Sequence, residues 1–339
     1  MTTASTSSAT NIHAGAVVID CCSGGFQGWS SKIEQSGATA LVIGLASGWA
    51  DHAVATKNFE NALLEIERDR KHFTLARAVA DIRKAKADGK VAIVFNFQNG
   101  QPIEGSLNRL LVFRELGLRN MQLTYNERNF IGDGCLEPAN SGLSKFGREV
   151  VKAMNRWGIG IDLSHVGERT ALEAMTLSEK PCIFSHSNPK ARANSPRNAT
   201  DEQIKLLAEG GGVIGINGWG PMLWTGSEHP PTVEDFVDHI EYVAELVGVD
   251  HVGIATDARS TDNMAAILEH ARHMNETYPG YTKPYLDKFG NSVERRYPVS
   301  LEHFPLVTET LLGRGWTAPD IHKVMGGNFM RVWEQVWVS

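Results

Sequence analysis

Eight short apolar runs punctuate the chain, each bounded by polar or glycine-rich segments. They read AVVID (16–20), TALVIGL (39–45), KVAIVFNF (90–97), RNMQLTY (119–125), GIGIDLSH (158–165), PCIFSH (181–186), GGVIGING (211–218) and DHVGIATD (250–257). Continuous apolar runs of this length suit strands of a parallel sheet buried on both faces. Helical patterns lie between them. Residues 58–89 carry charges on one face and close on Gly89, which predicts one or two helices. LSKFGREVVKAMNRWG (143–158) is amphipathic and ends on glycine. ATDEQIKLLAEGG and TVEDFVDHIEYVAELVG open on the capping residues Thr200 and Thr232. Eight strands, each followed by a loop or helix, predict an α/β fold of the (β/α)8 barrel type. A doubly wound sheet is the alternative. However, CSGGFQG (22–28) lacks the G-x-G-x-x-G spacing of a dinucleotide site.

Composition narrows the function classes. The 339 residues are 42% hydrophobic and 21% charged, which accommodates a large core. The net charge of −6, from 33 basic and 39 acidic side chains without long runs of either sign, argues against nucleic-acid or anionic-membrane partners. The opening MTTASTSSATNIHAG has neither the basic start nor the apolar centre of a secretory signal. Residues 1–14 are expected to form a flexible tail, and residues 15–339 a single barrel domain. The segment 258–300, rich in Tyr, Pro and charge, is expected as an insertion that covers the barrel mouth or makes an oligomer contact. No stretch reaches the roughly 20 apolar residues of a membrane span. Cys21, Cys22, Cys135 and Cys182 are expected as reduced thiols, which suggests a cytoplasmic location.

In barrels of this type catalytic groups project from the C-terminal ends of strands. The fifth, sixth and eighth runs end on His165, His186 and Asp257, a set that can hold Zn²⁺ or a similar ion. A lone His at a strand end is commonly structural. Two at equivalent positions, in the contexts DLSHV and IFSHS, favour a shared role. The loop SNPKARANSPRN (187–198) carries Lys190, Arg192 and Arg197. One of its guanidiniums can grip a substrate carboxylate, while Lys190 and Arg192 read better as a solvated face. Asp257 is a candidate general base. The first run ends in AVVIDCCSGG, delivering two thiols and little else that is polar.

Several blocks resemble the renal (membrane) dipeptidase family of metallopeptidases, peptidase family M19. They are GLSKFGREVVKAMNRWGIGIDLSHVGERT, PCIFSHSNPKARANSPRNATDEQIKLLAEGGGVIGIN, DHVGIATD and VMGGNFMRVWEQV, in the family's order across most of the chain. The resemblance implies a metal-dependent-hydrolase barrel and a dimer. It also implies a mouth that in active members holds two zinc ions. There a His-x-Asp pair follows the first strand, a bridging Glu the third and a substrate-binding His the fourth. His165 and His186 match the ligands on the fifth and sixth strands, Arg197 the carboxylate-binding Arg, and Asp257 the proton-handling Asp.

Four positions depart from that pattern. DCCSG stands where the family has Asp-Gly-His-Asn-Asp, so Cys22 replaces the His and Gly24 the Asp. Gln98 falls on the bridging Glu and Tyr125 on the substrate-binding His. A glycine offers no ligand, and a neutral amide cannot bridge two cations. The expected cofactor is therefore one zinc ion or none, held by His165 and His186 with Cys22 as an optional thiolate ligand. Cys22 as a nucleophile and Cys22 as inert packing stay open. Tyr125 suits oxyanion stabilisation or substrate orientation, and Gln98 substrate contact. The expected activity is hydrolysis of an amide-like bond in a small carboxylate-bearing substrate. A metal-independent lyase or isomerase using Cys22, Tyr125 and Asp257, and a non-catalytic binding relative, are the alternatives.

Overall fold

All eight apolar runs form strands. The computed structural model describes residues 2–25, 27–46, 48–277 and 279–337. The strands are β1 (Ile19–Ser23), β2 (Ala40–Ala46), β3 (Phe73–Leu75), β4 (Val91–Phe97), β5 (Leu118–Gln122), β6 (Gly160–Asp162), β7 (Ile183–Phe184), β8 (Val213–Asn217) and β9 (Val252–Ala255). Eight of them run side by side in the order β1-β2-β4-β5-β6-β7-β8-β9, every pair parallel, while the short β3 pairs with β4 alone. The residues of these strands are almost uniformly buried, which is why their sequences lack polar alternation.

Sheet and helices interlock through aromatic side chains. Phe59, from the helix His52–Arg68, stands edge-on to Phe95 and Phe97 of β4, with ring centroids 5.1 and 5.7 Å away. Phe113 of the following helix Leu107–Leu116 stacks on Phe59 at 5.4 Å. The amphipathic helix Lys145–Trp157 begins on Ser144, whose hydroxyl accepts from the Gly147 N–H, and ends on Gly158 at a φ of 66°.

The barrel closes where β9 meets β1. Just beyond the strands, the Asp257 N–H donates to the Cys22 carbonyl and the Gly24 N–H to the Ala258 carbonyl, each at 2.8 Å. The fully buried Asp20 reinforces this seam. Its carboxylate accepts from the Thr256 N–H at 2.8 Å, the Thr256 hydroxyl at 2.6 Å and the Cys22 N–H at 3.3 Å. Asp162 repeats the device between β6 and β7, accepting from the Ser164 N–H, the Ser185 N–H and the Ser185 hydroxyl at 3.1, 3.0 and 2.5 Å. Burial pushes the Asp20 carboxyl up to about 7 and that of Asp162 up to about 6, while the hydrogen bonds each accepts pull the other way.

Two expectations change. The segment anticipated as a flexible tail is a helix, Thr2–Gly15, and near its end His13 is buried between the Thr308 hydroxyl and the Ser36 carbonyl at 2.8 and 2.9 Å. Tertiary docking there outweighs the modest helix propensity of Ser and Thr. The span 58–89 is not purely helical, because HFTLA contributes β3 between the helices His52–Arg68 and Val79–Ala87. The segment after β9 forms the helices Met264–Thr277, Pro279–Phe289 and Val293–Arg296, and Tyr281, Arg296 and Tyr297 face the mouth of the barrel. All four cysteines are free thiols. Among the described residues no helix is long and apolar enough to cross a membrane.

The seam generates a stability prediction. Asp20→Ala leaves the Thr256 N–H and hydroxyl buried without an acceptor. It is expected to lower unfolding free energy by about 2–4 kcal/mol in urea titrations. A loss below about 0.5 kcal/mol would show that the closure does not depend on this carboxylate.

Candidate active site

The strand ends bring the anticipated residues together. His165 follows β6 with a φ of 68° and Asp257 follows β9 with a φ of 57°, both in the left-handed region that non-glycine residues seldom occupy. Each such residue costs of order 1–3 kcal/mol and persists where surrounding bonds hold it. Here those bonds run from the Cys135 N–H to the His165 carbonyl and from the Asp257 N–H to the Cys22 carbonyl, both 2.8 Å. The turns aim both side chains toward the barrel axis. A cavity of about 720 Å³ opens at this end, with Gln98, Tyr125, His165, Arg197 and Asp257 in its wall. A smaller one of about 210 Å³ lies on the other side of His165 and Arg197, beside Cys135 and Lys190.

The two imidazoles face each other, Nε2 to Nε2, at 3.0 Å. Donor accounting assigns their protons. His165 Nδ1 lies 2.8 Å from Asn126 Oδ1, an oxygen that can only accept, so Nδ1 carries the hydrogen. Ser185 gives its single hydroxyl proton to the Asp162 carboxylate at 2.5 Å and therefore accepts from His186 Nδ1 at 2.7 Å. Both Nε2 atoms are left with lone pairs pointing at one another. Burial, with the positive charge of Arg197 behind it, holds both rings well below the usual imidazole range, and for His165 the neighbouring His186 adds to this. Imidazole nitrogens so placed are suited to sharing a cation.

Cys22, at the end of β1, completes the cluster. Its sulfur receives the Gln98 amide N–H at 3.2 Å and lies 3.7 Å from Asp257 Oδ1. Ligand atoms of Cys22, His186 and Asp257 all fall within 4.8 Å of one another. Burial, then the charges of Asp257, Asp20 and Asp162, push the Cys22 thiol well up. Burial also raises the Asp257 carboxyl, against the pull of Arg197 and of hydrogen bonds from Asn217 and Cys22. Asn217 Nδ2 holds Asp257 Oδ2 at 3.2 Å.

Two glycines shape the remaining space. A Cβ on Gly44 would lie 2.9 Å from Gln98 Oε1, so the glycine makes room for the Gln98 side chain. A Cβ on Gly24 would lie 3.1 Å from Arg259 Cγ and 3.3 Å from the Ala258 carbonyl carbon, so the Arg259 stem occupies the space beside Gly24. Tyr125 stacks on His165 with centroids 4.0 Å apart and planes 22° from parallel. Arg197 is 3% exposed, and none of its three guanidinium nitrogens has a partner among the described residues. Of the other two cations in its loop, Arg192 pairs with Asp238 at 3.2 Å and Lys190 is half-buried.

Sequence reasoning passed over the residues that orient these groups. Asn126 sits directly after Tyr125, Ser185 directly before His186, and Asn217 ends β8. The Ser-His pairing was visible as a motif, but only the fold shows that Ser185 relays to Asp162.

Residues 29–279 match the pattern of the Membrane dipeptidase (Peptidase family M19) family. The chain belongs to that family. It is 29% identical over 276 residues to Dipeptidase tcpJ of Claviceps purpurea, covering 81% of this chain and 57% of the relative. Dipeptidase verJ of Clonostachys rogersoniana is 28% identical over 273 residues, covering 80% of this chain and 62% of that one. The chain thus spans about three fifths of the length of these curated relatives. Among solved structures, an amidohydrolase from Pseudomonas aeruginosa is 33% identical with a TM-score of 0.83, covering 97% of this chain and 99% of that one. M19 membership implies a metal, typically zinc.

The donor set fits such an ion. Two neutral imidazole nitrogens converge, each ring is oriented by a hydrogen bond through its other nitrogen, and a thiol and a carboxylate adjoin the His186 ring. The relay to His186 can be tested by itself. Ser185→Ala is expected to weaken zinc binding by about 10–100-fold in a competition titration against a chromophoric chelator. Unchanged affinity would remove Ser185 from that role.

Proposed function

We propose that this chain hydrolyses an amide-like bond in a small carboxylate-bearing substrate, at a site that holds one metal ion. The facing Nε2 atoms of His165 and His186 carry this reading, because the hydrogen bonds at their Nδ1 atoms leave both with lone pairs turned toward one point. His165 and His186 would hold the ion, with Cys22 as a third donor.

One ion, rather than two, follows from the neighbouring residues. Gly24 supplies no ligand, Gln98 offers a neutral amide turned toward Cys22, and the Arg259 stem lies across Gly24. A guanidinium beside that space repels a second dication.

When bound, the ion supplies Lewis-acid polarisation of the scissile carbonyl. The remaining work falls to side chains. Arg197, buried in the cavity wall beside Cys135, holds the substrate carboxylate through two parallel hydrogen bonds. Asp257, positioned by Asn217, takes a proton from the attacking water and returns it to the leaving nitrogen as the C–N bond breaks. The ring of Tyr125 keeps the His165 imidazole in plane by stacking, and its phenol faces the same cavity, where it can orient the substrate oxygen.

Metal-free chemistry through Cys22 is less well supported, since without a neighbouring metal ion burial and three carboxylates favour the thiol, the weaker nucleophile. The cytoplasmic location and the dimer remain proposals of the same kind.

Elemental analysis of protein purified without chelator is expected to give about one ion per chain. Two tightly held ions would refute the single-ion site. Arg197→Ala is expected to weaken binding of a carboxylate-bearing ligand by about 2–5 kcal/mol, read by calorimetry. Unchanged binding would take Arg197 out of the site.

A further inference from the structure

The large cavity holds more positive charge than one substrate carboxylate requires. Besides Arg197, its wall includes Arg259 and Arg296. Arg296 is fully buried. Its Nε donates to Asn291 Oδ1, while Nη1 and Nη2 have no acceptor among the described residues. Arg259 is half-buried, and its Nε is likewise without a partner there. None of the three forms an ion pair with a described residue. The carboxylates in the same wall are Asp257 and Glu65, and Glu65 lies 3.9 Å from Arg68. Burying guanidinium groups without an anion is costly, so their presence around one open space points to an anionic occupant.

The three cations fall into two groups. The charge of Arg197 is felt at His165, His186 and Asp257. Those of Arg259 and Arg296 are both felt at Tyr297, a residue of the insertion after β9. Arg259 sits beside Gly24 at the barrel seam, and Arg296 is the last residue of the helix Val293–Arg296. Both line the same cavity as Arg197, so its wall carries more than one cation around the reactive cluster.

We infer that the substrate carries two acidic groups, one on Arg197 and a second, carboxylate or phosphate, on Arg259 and Arg296. This rests on the hydrolase reading and narrows its substrate class from a simple dipeptide-like acid to a dianion. The two arginines are specificity residues, separate from those that move the proton.

Ketomethylene analogues of dipeptides, which cannot be hydrolysed, test this by calorimetry on the full chain as isolated. Analogues of Ala-Glu, Glu-Ala and alanyl-phosphoserine would be compared with those of Ala-Gln and Gln-Ala. At least one acidic analogue is expected to bind at least tenfold tighter than its amide counterpart. Whether the glutamyl or the phosphoseryl compound shows the larger gain identifies the second group. Arg259→Met, which keeps the length of the half-buried stem, is expected to erase that preference while leaving the amide analogue within about twofold where circular dichroism shows a native fold. Arg296→Met should do the same where circular dichroism shows a native fold. Equal binding of acidic and amide analogues, or a preference that survives Arg259→Met, would overturn the inference. Failure of the hydrolase reading looks different, because the unmodified Ala-Glu and Ala-Gln dipeptides would then stay intact in the presence of the zinc-loaded protein while the acidic preference in binding persisted.

Discussion

A parallel barrel closes only if its first and last strands can hydrogen-bond, and here the closing bonds run through the reactive residues themselves. The Cys22 carbonyl receives the Asp257 N–H, and the buried Asp20 ties Thr256 to the turn that carries Cys22. The same bonds that end the sheet therefore fix where a thiol and a carboxylate point. Asp162 does the equivalent for His186 through Ser185. Stability and site geometry are one problem in this fold, because the polar groups that satisfy the strand ends also set rotamers in the mouth.

Electrostatics then sets two kinds of group in the mouth. At the strand ends, acceptor atoms converge: two imidazole nitrogens, a sulfur and a carboxylate oxygen. This is a place for a cation. In the wall of the same cavity, Arg197, Arg259 and Arg296 present guanidinium nitrogens without partners among the described residues. This is a place for anions. A substrate whose carboxylates meet the arginines while its scissile carbonyl meets the cation satisfies both. Gly24 and Gln98 become intelligible in that light, since an acidic side chain at either position would neutralise the anion-binding side that Arg259 creates.

The eight barrel strands were legible because a strand buried on both faces must be apolar throughout, a pattern that survives without knowledge of its neighbours. His165, His186 and Asp257 were legible because each closes such a run. The strand Phe73–Leu75 was not, since three residues inside a charged helical stretch carry too little pattern. The N-terminal helix was hidden for a different reason: its stability comes from docking His13 against Ser36 and Thr308, distant in sequence. Asn126 and Ser185 escaped notice because a side chain that orients a ligand has no periodicity of its own.

By itself the sequence determined the architecture and the chemical inventory, since hydrophobic period and strand-end residues are local properties. It also determined that Cys22, Gly24, Gln98 and Tyr125 depart from the family's pattern. Tertiary structure alone decided the protonation of the facing imidazoles, the lodging of Arg259 beside Gly24 and the gathering of three unpaired arginines around one cavity. Each of these depends on distances between residues far apart in the chain, and charge interactions are set by distance and burial rather than by order along the backbone.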